Sequence, residues 1–193
     1  MLDLPRSLPA IRNGLDFQLG ILTDWKKDFR DHPFTEDVRY FVDILQYCHL
    51  AATACIDDQF DAANKHISRA VKLADAWLQV PSGRNVRENW IDDHYGGIHS
   101  DNFNMQGDGA IMIAEDLSDW EFTAVSARAT GEYKGKPINY DDEDAATLSR
   151  MRALRACSEA VIPCCMEQKL VTQHKCRVAK HEIAAWGALI QEI

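Results

Sequence analysis

Apolar residues recur at helical spacing along both ends of the chain, and this periodicity constrains the fold more than any other feature. The clearest case is residues 35–56, where apolar side chains every three or four positions form one continuous stripe. Its members are Val38, Phe41, Val42, Leu45, His49, Ala52 and Ile56. A second stripe over residues 59–79 follows the short break at Asp57 and Asp58. So short a connection predicts two antiparallel neighbouring helices.

Three further segments outside the middle of the chain show the same periodicity. The pattern predicts helices over residues 7–30, over 142–162, and from 164 to near the end of the chain. Pro163 is expected to break or kink the chain between the last two, because proline cannot donate the helical hydrogen bond. The fold class predicted is therefore mainly α, a helical bundle of about five to six helices with a long acidic, loop-rich insertion in the middle.

The middle of the chain differs in composition. Glycine and asparagine punctuate residues 82–141, a pattern typical of turns. One stretch, 109–129, favours a helix, with a short strand near Trp120–Val125 as the alternative. A chain of 193 residues is most simply one domain. We expect that domain to comprise N-terminal helices (1–81), the acidic segment (82–141) and a C-terminal helical pair (142–193).

Composition excludes several classes of protein. No apolar run approaches the roughly 20 residues that span a bilayer, and the first residues lack the pattern of a signal peptide. A soluble, cytoplasmic protein is expected. The six cysteines form no C-x-x-C pair, which predicts reduced, buried thiols rather than a disulfide framework or a zinc site.

Acidic residues are concentrated in the middle of the chain. The net charge is −9, and residues 82–149 alone hold 14 acidic against 5 basic side chains. Aromatic residues interleaved with these acids are typical of interface anchors within a polar rim. We therefore predict a surface for a basic protein, formed by Trp90, Asp92, Asp93, Tyr95, Glu115, Asp116, Asp119, Trp120, Asp141, Asp142, Glu143 and Asp144. Direct nucleic-acid binding is not expected, because phosphate contacts need clustered Lys and Arg.

Known catalytic and metal-binding motifs are incomplete in this sequence. His181 and Glu182 begin like a zinc-protease helix, but Ala185 occupies the position of the second histidine. The segment 102–107 begins like a calcium loop, but Ile113 stands where the bidentate Glu is needed. No catalytic residue and no cofactor are therefore predicted.

One loop is nevertheless rich in side chains that bind metals. Asp92, His94, His99 and Asp101 lie close together in the sequence, beside Asp93. Imidazole and carboxylate groups suit several divalent metals, although no spacing rule supports a site here. The alternative interpretation is a solvated polar loop.

The hairpin over residues 35–79 resembles one tetratricopeptide-type unit. Small residues at Ala51, Ala54, Ala63 and Ala70 stand where two helices can approach closely. No second copy follows at a period of about 34 residues, so the resemblance implies a helical hairpin and no solenoid.

Three functions remain open on the sequence. The first is a non-enzymatic acidic binding protein that neutralises a basic partner, including one that acts on nucleic acid. In type it is similar to toxin immunity proteins and phage inhibitors. The second is a metal-dependent enzyme with a site around Asp92, Asp93, His94 and His99. The third is an adaptor that uses the groove of the 35–79 hairpin.

Overall fold

The predicted helical bundle is confirmed by a computed structural model, which describes residues 1–28, 35–81 and 98–192. Within these residues there are six helices and one short hairpin of strands. The helices are α1 (Leu8–Asp28), α2 (Thr35–Ile56), α3 (Phe60–Trp77), α4 (Ile98–Thr130), α5 (Asp142–Cys165) and α6 (Lys169–Glu192). Strands β1 (Glu132–Tyr133) and β2 (Lys136–Pro137) pair antiparallel between α4 and α5.

The helices form two layers of three. In one layer α2 lies between α1 and α3, and in the other α5 lies between α4 and α6. The layers face each other, so that α2 packs on α5, α3 packs on α6, and α1 meets α4 over a smaller area. The central helices α2 and α5 therefore carry most of the core.

All six helices contribute to one large core cluster, and a smaller cluster is formed by Leu2, Ala124, Ala127, Tyr133 and Leu148. The largest fully buried side chains of the large cluster include Trp25, Phe41, Trp77 and Trp186. The four small residues of the predicted hairpin, Ala51, Ala54, Ala63 and Ala70, are buried in the large cluster. Because other helices cover both α2 and α3, these alanines are not available as a docking surface, which argues against the adaptor hypothesis.

The C-terminal hairpin turns later than the sequence predicted. Helix α5 continues through Pro163 to Cys165, and α6 begins at Lys169 rather than at residue 164. The helix ends where Glu167 adopts a left-handed conformation (φ 56°) and the Gln168 N–H donates to the Pro163 carbonyl at 2.9 Å. Asp58 ends α2 in the same way, with φ 58° and a 2.9 Å bond from Gln59 to Ala54. Both turns satisfy the last helical carbonyls, as a Schellman motif does.

Helix α4 is longer than the sequence predicted. The predicted helix at 109–129 lies inside a helix of 33 residues, and the strand alternative near Trp120–Val125 is wrong. Gly107 and Gly109 lie inside this helix, although a Cβ atom at either position would make only ordinary van der Waals contacts. A Cβ atom built on Gly107 would lie 3.6 Å from the Cys165 Cβ, and one on Gly109 would lie 3.5 Å from the Gln18 Nε2.

Candidate binding surface on the long helix

An acidic ridge runs along the side of α4 that faces away from the core. Asp108, Glu115 and Asp119 are seven and four residues apart, so they share one face of the helix. All three are exposed, and none forms a salt bridge within the part of the chain that the structure describes. The ridge therefore presents uncompensated negative charge to solvent.

Large apolar side chains interrupt this acidic ridge. Phe122 is 78% exposed and Met112 is 68% exposed. Phe122 follows Asp119 by three residues and Glu115 by seven, which places the ring on the same face as the acids. An exposed aromatic ring among carboxylates is an arrangement that interface hot spots favour.

A groove of about 480 Å³ lies beside the ridge, where α4 meets α5 and α6. Its walls are mainly apolar, and several of its apolar residues are more exposed than core residues. Met166 is 59% exposed and Val171 is 44% exposed. The groove is lined by Ile111, Ala114, Glu115, Ser118, Glu159, Ile162, Pro163, Met166, Gln168, Val171 and Lys175.

Charges on the far side of the groove are paired with each other. Glu159 lies 2.8 Å from the Lys175 Nζ and 3.3 Å from the Arg155 Nε. On the near side, Glu115 lines the groove and also belongs to the ridge. The unpaired charge around the groove is therefore negative and comes from α4.

Two residues of α4 next to the ridge have intramolecular roles, and of these only Trp120 was predicted as a contact residue. Glu121 accepts from Arg152 at 2.6 Å and also from Arg155, which joins α4 to α5. Trp120 is half-buried, and its indole Nε1 donates to the Asp3 backbone oxygen at 3.0 Å. Because these interactions already occupy both side chains, we expect Trp120 to stabilise the fold and not to touch a partner.

The acids at residues 141–144 divide into two kinds. Asp141 caps α5, because its carboxylate accepts a hydrogen bond from the Asp144 N–H at 2.9 Å. The Asp144 carboxylate in turn accepts a hydrogen bond from the Asp141 N–H. Asp144 is fully buried and also accepts the Leu2 N–H. Asp142 and Glu143 are exposed in the first turn of α5. We therefore expect Asp144 to stabilise the fold and not to touch a partner.

The remaining predicted residues lie outside the described part of the chain. They are Trp90, Asp92, Asp93, His94 and Tyr95. Backbone placement is described for His99 and Asp101, in the first turn of α4, but their side chains are not. The predicted metal loop is therefore not tested. Within the described residues, no three His, Cys, Asp or Glu side chains gather to hold a metal ion.

The cysteines agree with the sequence prediction, since all six are free and buried. Cys48 and Cys176 join α2 to α6, with 4.0 Å between their sulfur atoms. The hydrogen bond to Cys176, together with burial, raises the pKa of Cys48 well above the ordinary value of a thiol. Burial likewise raises the pKa of Cys164. Such thiols remain protonated and react slowly, so they act as core side chains.

Sequence reasoning found the acids of α4 but not the groove. The groove depends on which sides of α5 and α6 meet α4, and the extension of α5 past Pro163 brings Pro163 and Met166 to its wall. The one available signal was the presence of Met166, Leu170 and Val171 around the α5–α6 turn, and all three are exposed.

No protein-family model, curated protein or solved structure matches the chain. Among the helices of the described residues, none has the length and apolar character needed to cross a lipid bilayer.

Proposed function

We propose that the protein is a non-enzymatic binding protein that holds a basic, amphipathic helical segment of a partner protein against α4. The apolar side of that segment enters the groove between α4, α5 and α6, and its Lys and Arg residues face the acidic ridge. By occupying a basic surface, the protein neutralises its partner, as a toxin immunity protein or a phage inhibitor does.

The observation that carries this proposal is the position of the ridge directly beside the groove. Glu115 belongs to both, and Asp108, Asp119 and Phe122 extend the same face. Helix-in-groove recognition needs an apolar trough about one helix wide, and charges at its edge then select the partner. Because the acids of the ridge form no salt bridge within the described residues, no internal ion pair has to be broken before they bind a partner.

The groove and the ridge are tested with one pair of peptides. The probe is a fluorescently labelled 18-residue amphipathic helix of Leu and Lys, and its counterpart carries Glu in place of Lys. We expect fluorescence anisotropy to show saturable binding of the Lys peptide alone. Replacing Ser118 by Trp, which places an indole in the groove, should weaken binding at least tenfold, equivalent to about 1.4 kcal/mol. Ala184→Trp is the control, because Ala184 is exposed on α6 and lies neither in the groove nor on α4.

Charge is tested separately from shape. The double variant Glu115→Lys with Asp119→Lys should also weaken binding at least tenfold. The matched control is Asp16→Lys with Asp24→Lys, which changes the net charge equally at two exposed positions of α1. If both double variants weaken binding by the same factor relative to wild type, attraction is due to net charge alone and the proposed surface is wrong.

A further inference from the structure

A cleft of about 200 Å³ opens on the other side of α4, between α4 and α1. Small residues line both walls, with Ala10 and Gly14 on α1 and Gly109 and Ala110 on α4. His49 of α2 contributes to the cleft from the core and is only 2% exposed. The cleft therefore exists because two adjacent helices carry little side-chain volume where they face each other.

Packing alone does not require glycine at the mouth of this cleft. A Cβ atom built on Gly14 would meet nothing within 4 Å. Glycine inside a helix is less favourable than alanine, so Gly14 carries a cost in helix stability without relieving any close contact. Its effect is to leave the mouth open.

Three buried polar side chains lie beside the cleft in a connected arrangement. The His49 Nε2 lies 2.7 Å from the Gln106 Oε1. Because an amide oxygen can only accept, the Nε2 of His49 must carry the hydrogen. The Gln106 Nε2 donates to the Gln18 backbone oxygen at 3.4 Å, and the Gln18 Nε2 donates to the Met105 backbone oxygen at 3.4 Å. These bonds fix the orientation of both amides.

The arrangement leaves two buried hydrogen-bond acceptors without a partner among the described residues. They are the His49 Nδ1 and the Gln18 Oε1. Burial keeps the imidazole neutral, because it lowers the pKa of His49 to about 4. The Nδ1 therefore holds a lone pair and needs a donor. Buried polar atoms are nearly always hydrogen-bonded, so two unsatisfied acceptors at one cleft indicate a missing donor.

We propose that this cleft binds a small, mostly apolar molecule of single-ring size whose polar end donates hydrogen bonds to the His49 Nδ1 and the Gln18 Oε1. Its volume is slightly larger than the apolar cavity of about 150 Å³ that accepts benzene. Asp116 also lines the cleft, which favours a neutral or cationic ligand over an anion. Phenols and primary amines have the required chemistry. The site is independent of the groove, because it lies on the opposite flank of α4.

Four probes of similar size separate the contributions to binding. They are phenol, benzylamine, toluene, which lacks the donor, and benzoate, which is an anion. We expect ligand-observed NMR to show phenol or benzylamine binding at least tenfold more tightly than toluene, and no binding of benzoate. Preference for benzylamine would assign the ligand to the amines, and preference for phenol would assign it to the hydroxyl compounds. Equal binding of toluene and the donors would overturn the role of the two acceptors.

Variants at two glycines of α1 locate the site. Gly14→Leu should reduce the affinity of the preferred probe at least tenfold, because the side chain covers the mouth. Gly20→Leu is the control, since Gly20 is also in α1 with open space around it but does not line the cleft. The ¹⁵N chemical shift of the His49 Nδ1 should move on binding to wild type. Absence of binding by both donor probes, or equal affinity for both variants, would overturn the proposal.

Discussion

His49 makes the stability of the fold depend on pH. Burial lowers its pKa from 6.5 to about 4, and the hydrogen bond to Gln106 opposes this shift only in part. Between these values the unfolded chain binds the proton and the folded chain does not. The contribution of His49 to the free energy of unfolding is therefore complete above pH 6.5. It is lost as the pH decreases toward 4, and the loss is about 3 kcal/mol at most.

Replacing His49 by Gln should remove this contribution while keeping a donor for Gln106. We expect the free energy of unfolding of wild type, measured by urea denaturation, to decrease more steeply between pH 6.5 and 4.5 than that of His49→Gln. His181→Gln is the control, because His181 is exposed and its replacement should leave the wild-type slope. An unchanged slope in His49→Gln would show that the imidazole is not buried as a neutral group.

At the scale of the helix, Gly187 of α6 lies directly against Phe60 of α3. A Cβ atom built there would lie 2.2 Å from the Phe60 Cε2, and the Phe60 ring packs edge-on against Trp186 at 5.6 Å between centroids. We expect Gly187→Ala to lower the free energy of unfolding by about 1–3 kcal/mol through overpacking, although alanine is the better helix former. Denaturant unfolding measures the change.

Gly20→Ala is the matched substitution in open space. No atom lies within 4 Å of its Cβ position, so only helix propensity changes. We expect this variant to gain about 0.5–1 kcal/mol. A Gly187→Ala protein as stable as Gly20→Ala would mean that α3 and α6 are farther apart than described.

The helices could be predicted because the apolar residues that form each stripe lie only three or four positions apart in the sequence. The stripe from Val38 to Ile56 is buried as expected, apart from the half-buried Ile56. The α5–α6 turn could not be placed, because Pro163 is tolerated inside a packed helix and the left-handed residue is Glu167, not glycine. Packing against other elements, which the local sequence does not encode, decided both features.

For the whole molecule, the sequence predicted where the acidic residues are concentrated better than it predicted which of them are exposed. Sequence analysis selected Glu115, Asp116 and Asp119, and all three are exposed. It also selected Asp144, which is buried and bonded to the backbone of Leu2. The difference is set by tertiary contacts, since a buried capping carboxylate and an exposed acid look alike in sequence. The cleft beside His49 was not predicted, because α4, which is distant in sequence, forms it together with α1 and α2.

The charge of the whole chain also determines how binding should depend on salt. The net charge is −9, and the acids of the α4 ridge have no ion-pair partners within the described residues. Raising the salt concentration from about 0.1 to 1 M shortens the screening length from about 10 to 3 Å. We expect this change to slow association with a basic partner, and to affect dissociation less.

The most direct test of the proposed function is affinity capture from a lysate of the source cells, read by mass spectrometry at low and high salt. Tagged wild type is compared with Ser118→Trp and with the control Ala184→Trp. The proposal predicts a stoichiometric, basic partner that wild type and Ala184→Trp retain at low salt, that Ser118→Trp loses, and that high salt releases. Capture of the same protein by all three, unaffected by salt, would contradict binding at the α4 surface.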